Sequence, residues 1–319
     1  PRDAHVHRVP GGSSSGAGIS LVNGTAALAL GTDTAGSVRV PAAMTGVAGL
    51  KLTAGRWPTS QIVPLSSTLD TPGLLAHRVD DLAFAFSAMD PVIAKHSQRL
   101  AAIPDLEDLT FGVPSGFFWE NCSPGIAEAV ERALRSLEKA GARLVRFDLS
   151  GLDEIFEVFL KGGVAAPELA AFIRKELPDI VPDLDPNVVA RLLTAEELPA
   201  WEYIHRLELI KRLSSIAAME LEGVDALLTP TVTLTPPDVD SLNEPGAYAA
   251  ANMQALRNTA MGNYLGLCGL TLPVGKDNAG MPVGLQLLKG PWQEERLLLI
   301  GQSVERCLGF GPDILGSCS

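Results

Sequence analysis

Two short stretches of the sequence set hydroxyl groups into glycine-rich backbone: PGGSSSG at residues 10–16 and GTDTAGS at residues 31–37. A serine hydroxyl is a poor nucleophile until a base removes its proton, and acyl transfer also needs donors for the oxyanion formed on the attacked carbonyl. The second stretch offers such donors. Gly31 and Gly36 let the backbone bend so that the N–H groups of Thr34, Ala35, Gly36 and Ser37 can turn toward one point, as an oxyanion hole requires. The pattern alone fits a plain glycine-rich turn after a strand equally well. A histidine base is not evident: His5 and His7 lie in a polar leader, His77 beside Arg78, His96 in a linker and His205 in a helical stretch.

The elements around these stretches explain how they would be held. Ser14–Val22 reads as a helix stopped at Asn23-Gly24, and Ala26–Leu30 as a short buried strand ending at Gly31. The second loop therefore follows a strand, where open α/β sheets place their chemistry. The turn-rich segment after Pro41 predicts loop and short strand, and Val79–Met89 a helix. Thr110–Pro114, a helix over Pro124–Lys139 and a strand over Ala142–Phe147 form a βαβ unit, which implies a partly parallel sheet. Residues 152–221 are helical in pattern, broken by prolines, and read as an insertion or cap lining the substrate wall. Val224–Thr229 is a strand, and Asn252–Leu265 and Gln293–Cys307 are helices. Gly269–Val274 and Pro282–Leu288 form a hairpin across KDNAGM.

Composition narrows the partners. The 319 residues are 46% hydrophobic and carry a net charge of -12, which argues against nonspecific binding to nucleic acid or an anionic membrane. The expected partner is a small molecule. Cys122, Cys268, Cys307 and Cys318 show no paired spacing for zinc or disulfides, and reduced cysteines with no membrane-length apolar run point to the cytoplasm. No metal or organic cofactor is called for.

Taken together, GGSSSG followed by GTDTAGSVRVPAA resembles the amidase signature family, in which two serines and a lysine hydrolyse amides. GVAGLKLTAGR resembles its GLKPT segment with Leu52 at the proline position, and FGVPSGFF, VDALLTPT and GMPVGLQLL extend the similarity along the chain. The resemblance implies one amidase signature domain over residues 1–319, incomplete at its N-terminus, with a mixed, mostly parallel sheet covered by helices on both sides. It makes Ser37 the nucleophile and Ser13 the proton-relaying serine, preceded by a cis Gly12–Ser13 peptide. Ser14, Asp33 and Arg39 become supporting hydrogen-bonding residues. It also implies a lysine base upstream of Ser13. No lysine precedes Ser13 here, and Lys51 matches the GLK segment instead. The base is therefore expected on a missing N-terminal part or on a partner chain, this chain alone is expected to hydrolyse weakly, and a homodimer is also compatible.

The implied substrate is a small-molecule carboxylic amide, with an amidotransferase-type glutaminase and an allophanate-hydrolase-like enzyme as alternatives. A relative that binds without catalysis also stays open. The G-x-S-x-G match centred on Ser14 would suggest a hydrolase elbow, but no buried strand precedes it. A phosphate loop is the remaining rival, weakened by the lack of G-K-[ST].

Overall fold

The computed structural model describes residues 6–96, 102–244 and 246–316, so His5 and Cys318 lie outside the described residues. One sheet runs in the order β1 (Leu28–Asp33), β3 (Thr71–Ala76), β2 (Ala48–Lys51), β7 (Cys268–Lys276), β8 (Pro282–Lys289), β6 (Ala226–Pro230), β4 (Thr110–Val113) and β5 (Arg143–Arg146). The α/β class and the mixed sheet match the sequence expectation. The balance of strand directions corrects it: five of the seven pairings are antiparallel, and only β6 with β4 and β4 with β5 are parallel. The βαβ unit that implies parallel pairing is present, but it occupies one edge. The middle is made by the β7–β8 hairpin, whose short connection permits only antiparallel pairing.

The helices are α1 (Ser15–Val22), α2 (Arg39–Thr45), α3 (Val79–Met89), α4 (Pro91–His96), α5 (Ile126–Lys139), α6 (Leu152–Leu160), α7 (Ala165–Glu176), α8 (Pro186–Glu196), α9 (Ala200–Glu220), α10 (Ala247–Tyr264), α11 (Glu294–Leu308) and α12 (Gly311–Leu315). Alternation along the strands divides them between two faces. Leu50, Leu228, Leu270 and Leu285 point into the larger core with residues of α3, α5 and α11. Their neighbours Gly49, Gly269, Thr271 and Gln286 point the other way, toward α2 and α10.

That second face carries the chemistry, and α2 lies unusually close to it. A Cβ on Gly49 would come within 2.7 Å of Ala42 Cβ, and one on Gly284 within 2.7 Å of Ala43 Cβ. Side chains at these two positions would push α2 off the sheet. Beyond α10, the helices of residues 152–221 build a second core in which Ile155, Phe159 and Leu213 meet Met261 and Tyr264.

Two local differences matter for the site. β1 does not stop at Gly31 but continues to Asp33, because Thr32 and Asp33 pair with Pro72 and Thr71 of β3. The segment after Pro41, expected as loop and short strand, instead begins inside helix α2, which runs from Arg39 to Thr45. Pro41 sits in the first turn of α2, where its missing N–H breaks no helical hydrogen bond. Among the described residues no helix is long and apolar enough to cross a membrane.

Candidate active site

The strand β1 delivers Asp33 to the buried face of the sheet, and the chain then reverses through Thr34–Val38 into α2. Asp33 drives the reversal. Its carboxylate Oδ2 accepts from the backbone N–H groups of Val38 (3.2 Å) and Arg39 (3.4 Å). It also pairs with the Arg39 guanidinium, Nε to Oδ2 at 3.1 Å and Nη2 to Oδ1 at 2.9 Å. Both side chains are fully buried. Burial alone would raise the Asp33 pKa, but the Arg39 charge and hydrogen bonds outweigh it and, with Lys51 and Asn263, hold it down at about 2.

The remaining guanidinium donors tie the loop to the fold. Arg39 Nη1 donates to Gln286 Oε1 of β8 (2.7 Å) and Nη2 to Asn263 Oδ1 of α10 (2.6 Å). Asn263 Nδ2 in turn donates to the Asp33 carbonyl and carboxylate at 3.0 and 2.9 Å. The loop is thus fixed to a strand and a helix more than 200 residues away in sequence. The partners Asn263 and Gln286 carried no signal in the sequence, since a polar residue inside an apolar run declares burial only once its partner is known.

Within the loop, Thr34 Oγ1 donates to Asp70 Oδ1 (2.5 Å) and the Ala35 carbonyl accepts from Thr259 Oγ1 (2.7 Å). Gly36 has φ of +135°, and a Cβ there would lie 2.0 Å from Thr259 Oγ1. Glycine is required on both counts. The N–H groups of Ala35, Gly36 and Ser37 donate to no protein acceptor among the described residues. The Ala35 side chain packs into the apolar cluster that includes Phe117, Phe156, Met253 and Leu256.

The first loop lies against the second. Ser14 N–H donates to the Ser37 carbonyl (3.1 Å), Ser15 Oγ donates to the Gly11 carbonyl (2.7 Å), and Ser14 Oγ reaches the Thr32 carbonyl at 3.5 Å. The Gly12–Ser13 peptide is cis. Ser13 is exposed and Ser37 partly buried, and neither hydroxyl is bonded to a protein group among the described residues. Ser14 follows no strand, only an isolated bridge between Arg8 and Asp238, so the context a hydrolase elbow needs is lacking. The structure therefore brings Ser13, Ser14, Asp33, Thr34, Ala35, Gly36, Ser37 and Arg39 into one neighbourhood.

Lys51 is hydrogen-bonded to neither serine among the described residues. It is 1% exposed, and its Nζ donates to the carbonyls of Leu52 and Leu267, each at 2.7 Å. Burial, reinforced by the nearby Arg39 charge, pushes its pKa down to about 8 against the opposing pull of Asp33. Its ammonium thus supports two backbone carbonyls on the buried face. No cluster of metal-ligating side chains occurs among the described residues.

The amidase family profile matches residues 1–298. The chain belongs to the amidase family. It is 50% identical to the 2-amino-5-chloromuconic acid deaminase of Comamonas testosteroni, over 99% of this chain and 68% of that protein. A glutamyl-tRNA(Gln) amidotransferase subunit from Acidobacterium capsulatum is 30% identical over 94% of this chain and 69% of its own length. Among solved structures, the Kluyveromyces lactis allophanate hydrolase superposes with a TM-score of 0.83 at 26% identity, covering 97% of this chain and 52% of that one. Membership makes the chain a hydrolytic enzyme of the amidase family with an α/β mixed-sheet fold.

Proposed function

We propose that this amidase-family chain cleaves the C–N bond of a small carboxylic amide through an acyl-enzyme on Ser37. The observation that carries the reading is the reversal held by Asp33 and Arg39, which leaves the Ala35, Gly36 and Ser37 N–H groups without protein acceptors beside the Ser37 hydroxyl. Ser37 Oγ adds to the carbonyl carbon, and the oxyanion draws on those N–H groups together with that of Thr34. A single such donor is worth about 3 kcal/mol of transition-state stabilisation. The Ser37 proton passes through Ser13 to a lysine base and on to the leaving nitrogen as the C–N bond breaks. Water then adds to the acyl carbon, the same relay runs in reverse, and the carboxylic acid leaves with Ser37 restored. Ser14, Asp33 and Arg39 hold the two loops in register.

Among the described residues no lysine is bonded to Ser13, and in this reading the base is a lysine supplied by further chain or by a partner chain. Residues 152–221 serve as a cap within one amidase domain. The 50% identity to a protein named as a deaminase of an unsaturated acid favours the amide of a small unsaturated acid as substrate over glutamine or allophanate, ammonia being the leaving group in each case. Free Cys122, Cys268 and Cys307 fit a cytoplasmic enzyme.

Labelling the chain with a fluorophosphonate and mapping the modified peptide tests this reading. Modification at Ser37 is expected. Modification at Ser14 would instead support an elbow, and no labelled serine even with the segment or partner carrying the base supplied would support a binding protein without catalysis.

A further inference from the structure

The carboxylate of Glu168, in the first turn of α7, is not part of any cluster on its own helix. It reaches out of the helical block and takes four hydrogen bonds from elsewhere. Ser66 Oγ donates to its Oε2 at 2.5 Å and Thr68 N–H to the same oxygen at 3.1 Å. The Thr68 hydroxyl and the Tyr203 hydroxyl of α9 donate to Oε1, the latter at 2.7 Å. Every strong acceptor direction of the carboxylate is therefore used. Such charge-assisted bonds are stronger and shorter than neutral ones.

The segment that Glu168 holds is the same one that holds the catalytic loop. Ser66 is fully buried, and its backbone N–H and that of Leu65 donate to Asp70 Oδ2 at 3.0 and 2.8 Å. The Asp70 N–H closes the turn onto the Ser66 carbonyl at 3.0 Å. The other oxygen, Asp70 Oδ1, accepts from Thr34 Oγ1. Leu69, between them, is buried in the core of the helical block. A continuous path of hydrogen bonds thus runs from α7 and α9, through residues 66–70, to the residue that opens the Thr34–Ser37 loop.

We infer that Glu168 is a positioning residue for amide cleavage: it fastens the helical block to residues 66–70, and through Asp70 it sets where Thr34 and the donor-rich loop behind it stand. This inference rests on the proposed role of Ser37. Its physical basis is that Thr34 is otherwise free to turn its hydroxyl, whereas Asp70 is fixed on one side by two backbone donors and through Ser66 by Glu168. Substrate-shaping helices and the reacting loop then share one geometry. A displacement of about 1 Å in such a loop can slow chemistry by up to about 100-fold.

Two measurements on the full chain test it. In the first, hydrogen exchange is followed in the wild type, Glu168→Ala and Glu168→Gln. Faster exchange at the bonded amides of residues 38–40, which close the loop onto Asp33 and Gly36, as well as in 66–70 is expected in Glu168→Ala, with a smaller effect in Glu168→Gln, which keeps one acceptor oxygen. Loosening confined to 66–70 and α7 would overturn the inference, and this readout needs no activity. In the second, the rate of fluorophosphonate labelling at Ser37 is compared for Glu168→Ala, Thr34→Val and the double variant. Each single change is expected to slow labelling about tenfold, and the double variant no more than either, because both cut the same path. Multiplicative losses would overturn it. The control Glu157→Ala removes an exposed ion pair with Lys161 on the same block and should leave labelling unchanged. A wild type unlabelled at Ser37 would refute the role of Ser37, while the exchange data would still decide whether Glu168 holds the loop.

Discussion

The two serine loops are neighbours, yet they are held in opposite ways. Residues 33–39 are fixed by a fully buried ion pair whose partners reach β8 and α10, and by a glycine with no room for a side chain. Residues 11–15 rest on the bonds from Ser14 to Ser37 and Thr32, on the close approach of Gly11 to the Pro41 backbone and on local serine contacts, with Ser13 exposed. One loop is built into the core and the other laid over it. The difference implies that damage to the exposed loop should cost function without cost to the fold, whereas damage to the buried one should cost both.

The largest effect is expected from breaking the Asp33–Arg39 pair. Replacing Arg39 by Ala leaves a buried carboxylate without its partner, which costs about 3–5 kcal/mol, and the urea midpoint of unfolding should fall accordingly. Next comes Gly36→Ala, which forces a side chain into Thr259 at a φ that L-residues avoid. A loss of about 1–3 kcal/mol and of Ser37 labelling is expected. Ser13→Ala should shift the same unfolding midpoint by no more than about 0.5 kcal/mol, since an exposed hydroxyl without protein partners contributes little. It should nevertheless abolish relay-dependent turnover. A large loss of stability in that variant would erase the contrast between the loops.

Acidity sharpens the same contrast. The Asp33 pKa is depressed in the folded state to about 2, from an ordinary 3.8. Its contribution to stability is therefore complete above pH 4 and is lost as the pH falls toward 2. The pH dependence in this window should shrink in Asp33→Asn, as measured by thermal melting from pH 2 to 5. An effect of opposite sign lies at Glu305, which caps the N-terminus of α3 through the Val79 N–H. Burial raises its pKa to about 7, opposed by that N–H bond and by Arg78 and reinforced by Asp80 and Asp81. A raised carboxyl pKa stabilises the protein at low pH, and the benefit fades as the pH rises from about 4.5 through 7. Glu305→Gln should flatten melting temperature across that range.

How much of this was legible in the sequence follows the same division. The two loops announced themselves, because glycine beside serine and threonine is a local pattern with a local meaning. The hairpin at Asp277–Met281 and the βαβ unit of β4, α5 and β5 were legible for the same reason. What stayed hidden was non-local. Asn263, Gln286, Asp70 and Glu168 gain their meaning only from partners far along the chain. The strand directions were hidden too, because pairing between distant strands leaves no periodic mark in either.

The central claim is that Ser37 carries the acyl group, and an activated acyl donor tests it most directly. A p-nitrophenyl ester needs no proton delivered to its leaving group, so with the segment or partner carrying the lysine base supplied, the test reads attack by Ser37 alone. After rapid quenching, intact mass and peptide mapping should show one acyl group on the peptide containing Ser37, and none on Ser37→Ala. Acylation at another serine, or an equal acyl adduct on Ser37→Ala, would contradict the account.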